Sequence, residues 1–344
     1  MIRRSQHHVR GLTLIELLVA MVIGLVIVLA AVAALTVARR GFNTVDAASQ
    51  LRDSGRFAAD LIQRVGAQTG YRDVFIAAGL ASEDAAREAN IGGFNNALLD
   101  ATNPTTASTA RTASVVGYGS DILILRYQAS QLYTNSEDST KAAVADQTMI
   151  DCAGNTVASV PNPKDADPAQ VAQAYDRRIV SIFHVAISQG EPALMCTYSS
   201  TGAAPWTTVP VIQGVENFQV LYGVDGVTAN AAPAAPTAVP DVPDSYLRAD
   251  QMTVAGSANN TKANWRRVRS IRIGMVLRSA PGSSQDMAAQ TFWPFGAAKG
   301  TATGAAGSAF ANSNDVGTSF QPTPDGRLRQ TVSFTIHLRN DQGL

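Results

Sequence analysis

The sequence predicts an α+β chain: a long N-terminal helix, membrane-spanning in its first half, packed on an antiparallel β-sheet head with long insertions. Three observations predict it. Residues 12–38 (LTLIELLVAMVIGLVIVLAAVAALTVA) are almost entirely aliphatic. The stretch that follows repeats apolar residues at spacings of three and four. Four later segments alternate apolar and polar residues with period two.

The apolar run is about 40 Å long as a helix, enough to cross a hydrocarbon core of roughly 30 Å. Residues 1–11 carry Arg3, Arg4 and Arg10 and no acid, and Arg39–Arg40 close the span. Composition hides this asymmetry. The 344 residues hold 27 Lys+Arg and 27 Asp+Glu, and 46% are hydrophobic. Zero net charge gives no support for a general polyanion binder, and the apolar content is too high for a disordered chain. Two cysteines and four histidines exclude a disulfide-dense mini-scaffold and a multi-zinc module. Loss of the leader would leave a mature chain with three excess acids.

Three readings of the N-terminus compete. A secretory signal peptide has the basic start, but its apolar region is about half this length. A plain anchor explains the length but not Glu16, because a carboxylate inside an apolar span is costly. The third rests on Gly11-Leu12-Thr13-Leu14-Ile15-Glu16, which resembles the class III prepilin leader of type IV pilins and type II secretion pseudopilins. That resemblance implies cleavage between Gly11 and Leu12 by a membrane prepilin peptidase and N-methylation at Leu12. It also implies that Glu16, fifth in the mature chain, neutralises the terminal amine of a neighbouring subunit. Leu12 departs from the Phe usual there. The leader arginines place the N-terminus in the cytoplasm and the head in the periplasm.

Phe42, Val45, Ala48, Leu51, Gly55, Ala58, Leu61, Ile62 and Val65 extend the helix, with stop signals at Gly66 and Gly70. The reading is thus a leader at 1–11, a helix at 12–66 and a β-rich head at 67–344. Gly24 and Gly41 are weak points in that helix. Strand patterns occupy Asp121–Gln128, Val215–Val224, Val268–Arg278 and Thr331–Arg339, each expected to be covered on one side. Arg178–Ser188 and Ala193–Tyr198 read as further strands. Residues 101–120, 225–264 and 281–326 are poor in apolar bulk and read as long low-complexity loops decorating the sheet.

Several head phrases are similar to those of PilW-like minor pilins. They are Ser54-Gly55-Arg56-Phe57-Ala58, Asp151-Cys152-Ala153-Gly154, Leu194-Met195-Cys196, the run Gly214–Asp225 and the run Trp265–Ser279. The resemblance implies a subunit that initiates pilus assembly and sits at the tip, supporting pilus biogenesis, twitching motility and adhesion. The implied partners are other minor pilins, the major pilin, the prepilin peptidase, an inner-membrane assembly platform, a large tip adhesin, and membrane lipid before assembly. The alternatives are a J-type pseudopilin of a secretion system, which shares some of these phrases, and a membrane-anchored DNA- or surface-binding module.

Cys152 and Cys196, 44 residues apart, resemble the cysteine pair of that family. They form one disulfide in an oxidising compartment or stay as two buried thiols. No catalytic pattern occurs, and no enzyme activity, cofactor or metal is expected. His7 and His8 leave with the leader, and His184 and His337 stand singly on strand patterns. Asp225, Asp241, Asp244 and Asp250 cluster loosely but fit no calcium loop. Arg266, Arg267, Arg269 and Arg272 beside Trp265 fit either a DNA-binding face or the outer face of a strand. The alternation at Arg272, Gly274 and Arg278 favours the second, so nucleic acid is not an expected partner.

Overall fold

The structure is a computed structural model and describes residues 13–72, 87–132, 144–158, 177–234, 242–296, 316–317 and 319–340. The predicted cleavage point at Gly11–Leu12, together with His7, His8 and Asp241, lies outside the described residues.

Helix α1 (Leu14–Gln68) is continuous for 55 residues, about 80 Å at 1.5 Å per residue. Gly24 and Gly41 do not break it, and a Cβ at either would meet open space. Gly66 does not stop it either. The chain leaves the helix at Thr69 and turns at Gly70, whose φ of 78° suits glycine. The buried stripe is Ala47, Leu51, Gly55, Ala58, Leu61, Ile62, Val65 and Gly66. Phe42 and Val45, expected in that stripe, are 76% and 70% exposed because the head's core begins above them.

The head contains two antiparallel sheets. The first has five strands in the order β1 (Ile91–Phe94), β4 (Ile122–Tyr127), β7 (Ile179–Ser188), β8 (Glu191–Ser199) and β9 (Thr207–Gln213). Its β7–β8 hairpin turns through Gln189 and Gly190, both at positive φ, as a two-residue type I′ turn requires. The second has four, in the order β11 (Ser245–Leu247), β10 (Val215–Val224), β12 (Val268–Arg278) and β13 (Arg329–His337). Two short pairs, β2–β3 (Ala97–Leu99 with Ser108–Ala110) and β5–β6 (Gln131–Leu132 with Val144–Ala145), complete the described strands.

Period two gave the right inner residues. Phe218, Val220 and Tyr222 of β10 lie in register with Met275, Ile273 and Ile271 of β12 and, beyond them, Val332, Phe334 and Ile336 of β13. These residues share one core with the α1 stripe and with Leu123, Leu125, Phe183 and Leu194 of the first sheet. The expectation of one covered side fails for β4 and β10, which are buried along their whole length. The outer sides are covered by segments outside the predicted strands. Ala97 and Leu99 of the β2 turn pack on Ile122, Ile124, Val180 and Ile182. Phe295 is buried against Leu221, and Pro294 closes over Gly274, where a Cβ would lie 2.7 Å from its carbonyl oxygen.

The low-complexity segment 225–264 also contributes to the core. It forms β11, a 3₁₀ turn (Asp250–Met252) and most of helix α2 (Ala258–Arg266), capped by Ser257. Met252 and Trp265 are buried, and Trp265 meets Tyr222 edge-on with ring centroids 4.7 Å apart. The Trp265–Ser279 phrase is therefore a helix end followed by a strand.

Candidate functional site

The predicted chemistry lies at the helix start. Thr13 is the N-cap of α1, and its hydroxyl accepts from Glu16 N while Glu16 Oε2 accepts from Thr13 N at 2.9 Å. Thr13 Oγ1 also donates to Glu16 Oε2 at 3.0 Å. This is a capping box, which satisfies orphan amides at both ends of the first turn. The spacing Thr-x-x-Glu carried that signal in the sequence. The carboxylate thus points back toward the N-terminus, where the helix dipole favours negative charge.

Above it, the apolar half of α1 is exposed on every side and is long and apolar enough to cross a membrane. The other end of α1 is tied down. Gln68 makes two hydrogen bonds to the backbone of Ile150, at 2.9 Å each. Asn340 Nδ2 donates to the carbonyls of Ala67 and Thr69. Two residues beyond Ile150, a disulfide joins Cys152 to Cys196 on β8, with Cα atoms 5.6 Å apart. Tyr127 completes the tie, donating to Ile150 O at 2.7 Å beside Ser181, whose hydroxyl accepts from Cys152 N.

An ionic cluster at the opposite end of the head, beside Gln50, Leu51 and Ser54 of α1, was missed by sequence reasoning. Arg278 bonds Glu191 and Glu216 at 2.6 and 2.8 Å. Arg329 grips Glu216 through Nε at 2.6 Å and Asp325 through both terminal nitrogens at 2.8 Å. Arg327 holds both oxygens of Glu191 at 3.0 Å. The cluster joins the β7–β8 turn, β10, β12 and β13. Hydrogen bonds from Arg327 and then Arg278 hold Glu191 below the ordinary carboxylate pKa. For Asp325, burial opposes the charge, but Arg329 outweighs it and the net shift is downward. Arg329 is likewise raised despite burial, by Glu216 and Asp325. The six residues span 191–329 without local periodicity, so nothing in the sequence groups them. A groove of about 590 Å³ lies beside the cluster, walled by Val116, Ile187, Pro192 and Phe320.

The remaining candidates are occupied internally. Arg266 donates to Arg87 O, Arg269 to Arg266 O, and Arg272 lies over the Phe295 ring. Arg267 faces buried Asp225 at 4.0 Å. Asp244 accepts from Gly226 N, and Asp250 pairs with Arg248. His184 is buried against Thr197, and burial, then the Arg111 charge, lowers its pKa to about 4. Arg111 itself donates to the carbonyls of Ala97, Val116 and Val185, and burial lowers it to about 10, Asp121 partly offsetting this. Among the described residues, no group of three metal-ligating side chains occurs.

Comparison with known proteins agrees with this arrangement. Residues 6–32 match the prokaryotic N-terminal methylation motif. With the apolar helix and the antiparallel head, they define a type IV pilin-like protein bearing a class III prepilin leader. Residues 182–340 match the model for Type IV Pilus-assembly protein W. Within the class, the head is similar over those residues to PilW-type pilins. No curated relative matches it. Among solved structures, a type IV-like pilin from Thermus thermophilus is similar at 14% identity and a TM-score of 0.36, over 85% of this chain and 98% of that one. A likeness that loose adds nothing to the assignment.

Proposed function

We propose that the chain is a minor pilin that primes assembly of a type IV pilus and stays at its tip, serving pilus biogenesis, twitching motility and adhesion. The observation that carries this reading is the pairing of an uncovered apolar half-helix with a head that matches the pilus-assembly family. The prepilin peptidase cuts between Gly11 and Leu12, and Leu12 becomes N-methylated. The subunit waits in the inner membrane, N-terminus cytoplasmic and head periplasmic, until the assembly platform extracts it. In the fibre, α1 buries its apolar surface against the helices of other minor pilins and the major pilin, a heterologous contact that grows an open filament. Glu16 then meets a neighbour's amine; both charges are expensive alone in low dielectric, and pairing removes that cost.

Deletion of the gene tests this. Surface pili and twitching are lost while protein export continues. Normal pili with failed export would overturn the reading in favour of a secretion pseudopilin.

A further inference from the structure

The two sheets end in four edge strands, and three of them are blunted. β1 is four residues long with two glycines, and β11 is three residues long. β9 carries Pro210, and its register with β8 shifts between Leu194 and Met195. Short strands, prolines and bulges are how heads avoid edge-to-edge pairing. β13 has none of these. It is nine residues long, pairs with β12 in unbroken register, and has no charged residue between Gln330 and Ile336.

Its hydrogen-bonding parity is fixed by two flanking bonds, Leu338 N to Arg269 O and Ser279 N to Leu328 O, both 2.9 Å. Antiparallel ladders alternate, so the even residues from Leu328 to Leu338 bond to β12. The N–H and C=O groups of Thr331, Ser333, Thr335 and His337 therefore point to the open side. Among the described residues nothing pairs with them, and Ser333, Thr335 and His337 are exposed. They offer a template about 20 Å long.

The surroundings narrow the occupant. β13 ascends alongside α1, since Gly55 meets Val332 and Gly66 meets Ile336. A second copy anchored in the same membrane would present another ascending β13, which suits antiparallel pairing badly. A different chain with a descending strand suits it well. Arg52 and Arg56 lie about 60° and 100° around α1 from Gly55, on the side away from buried Ala58 and Leu61. Both are exposed and have no recorded partner among the described residues, and Asp53 and Asp60 lie further round. By this helical angle they fall on the flank of α1 beyond the Gly55–Val332 contact, which puts positive charge on the side of the open edge.

We infer that the open edge of β13 is a strand-addition site for a descending, carboxylate-bearing extended segment of a different subunit. This rests on the pilus reading only for the identity of that subunit as another pilin. The test uses the full chain in its own cells, with a photo-crosslinking residue at Ser333 or Thr335 and, as control, at Thr207 on β9. Adducts are mapped by mass spectrometry. Edge probes capture one acidic segment, and moving the probe from Ser333 to Thr335 moves the adduct toward the partner's N-terminus. Thr335→Pro removes one outward N–H without touching the β12 ladder, and lowers capture about fivefold or more. If that head melts early, Arg52→Glu with Arg56→Glu, on an exposed helix face, gives the same loss. Capture no better than from Thr207, adducts to the same chain, or adducts moving with the probe would overturn the inference. Capture of such a segment from a chain without a prepilin leader supports strand addition and overturns the pilus reading.

Discussion

The two halves of α1 share one secondary structure and differ in everything that holds it. From Leu14 to Val37 the helix is aliphatic all round and touches no other element; its described side-chain bonds are the Thr13–Glu16 cap and one from Thr36 to its own backbone. From Ala47 to Gly66 only one stripe is apolar, and that stripe is buried in the head. On the proposed reading, helicity in the first half is held by lipid or fibre packing, where backbone polar groups must be satisfied within the segment. Helicity in the second half follows from tertiary packing of an amphipathic face. The lower half is built for surroundings the isolated subunit does not have.

The sharpest way to separate the halves is to loosen the head alone. Replacing both Cys152 and Cys196 by Ala removes a 44-residue cross-link. The expected cost is about 4 kcal/mol by chain entropy. Because Ile150 clasps Gln68, the upper end of α1 loosens too, while membrane insertion is unchanged. Denaturant melts of the detergent-solubilised protein check this, and an unaltered midpoint would sink it.

A proton can also discriminate. His184 is buried neutral with a pKa of about 4 against an ordinary 6.5. Its contribution is whole above pH 6.5 and shrinks as pH falls, because the unfolded chain takes up the proton first. Near pH 4 the loss approaches about 3 kcal/mol. Glu191 and Asp325, both depressed, lose their contribution in a more acidic window, as pH falls through the carboxylate range and past their lowered folded values. His184→Gln flattens stability between pH 6.5 and 4.5 and leaves the lower window intact. A persisting slope in that range would assign it to other groups.

Glycines compare the halves most directly. A Cβ at Gly55 would lie 2.7 Å from Val332 Cγ2, whereas Gly24 has open space. Gly55→Leu should cost about 2 kcal/mol by overpacking, and Gly24→Leu should leave the head's melt unchanged. Equal effects would mean that the upper helix is not seated as described.

How much was readable follows from the same physics. α1, β10, β12 and β13 were legible because a period of 3.6 or 2 marks an element that buries one face. Segments 225–264 and 281–326 were not, because their large buried apolar residues, Val227, Leu247 and Met252 in the first and Phe295 in the second, are widely spaced among Ala, Pro, Ser and Gly. Anchors so far apart make no period. Glu16 stood out because a carboxylate in an aliphatic run is anomalous, but its bond to Thr13 was passed over. The ionic cluster was invisible because its members meet only after both sheets form.

The smallest change in fold stability is expected at the cap, and it bears most on function. Glu16 has two candidate duties, capping α1 and neutralising a neighbour's amine. Glutamine at the third helical position still accepts from the N-cap amide, as capping boxes use Glu or Gln alike. It cannot neutralise a charge. Glu16→Gln therefore keeps the first turn and loses the ion pair, while Glu16→Ala loses both. Neither alters membrane insertion or the head's melt. If the ion pair governs assembly, both variants disappear from sheared fibres to the same extent. If the cap governs it, Gln is recovered like wild type and Ala is not. Thr13→Ala removes the cap's hydroxyl and leaves the charge, so it must follow the opposite pattern in each case. Quantifying the three variants in sheared fibres against the membrane pool decides between the two duties.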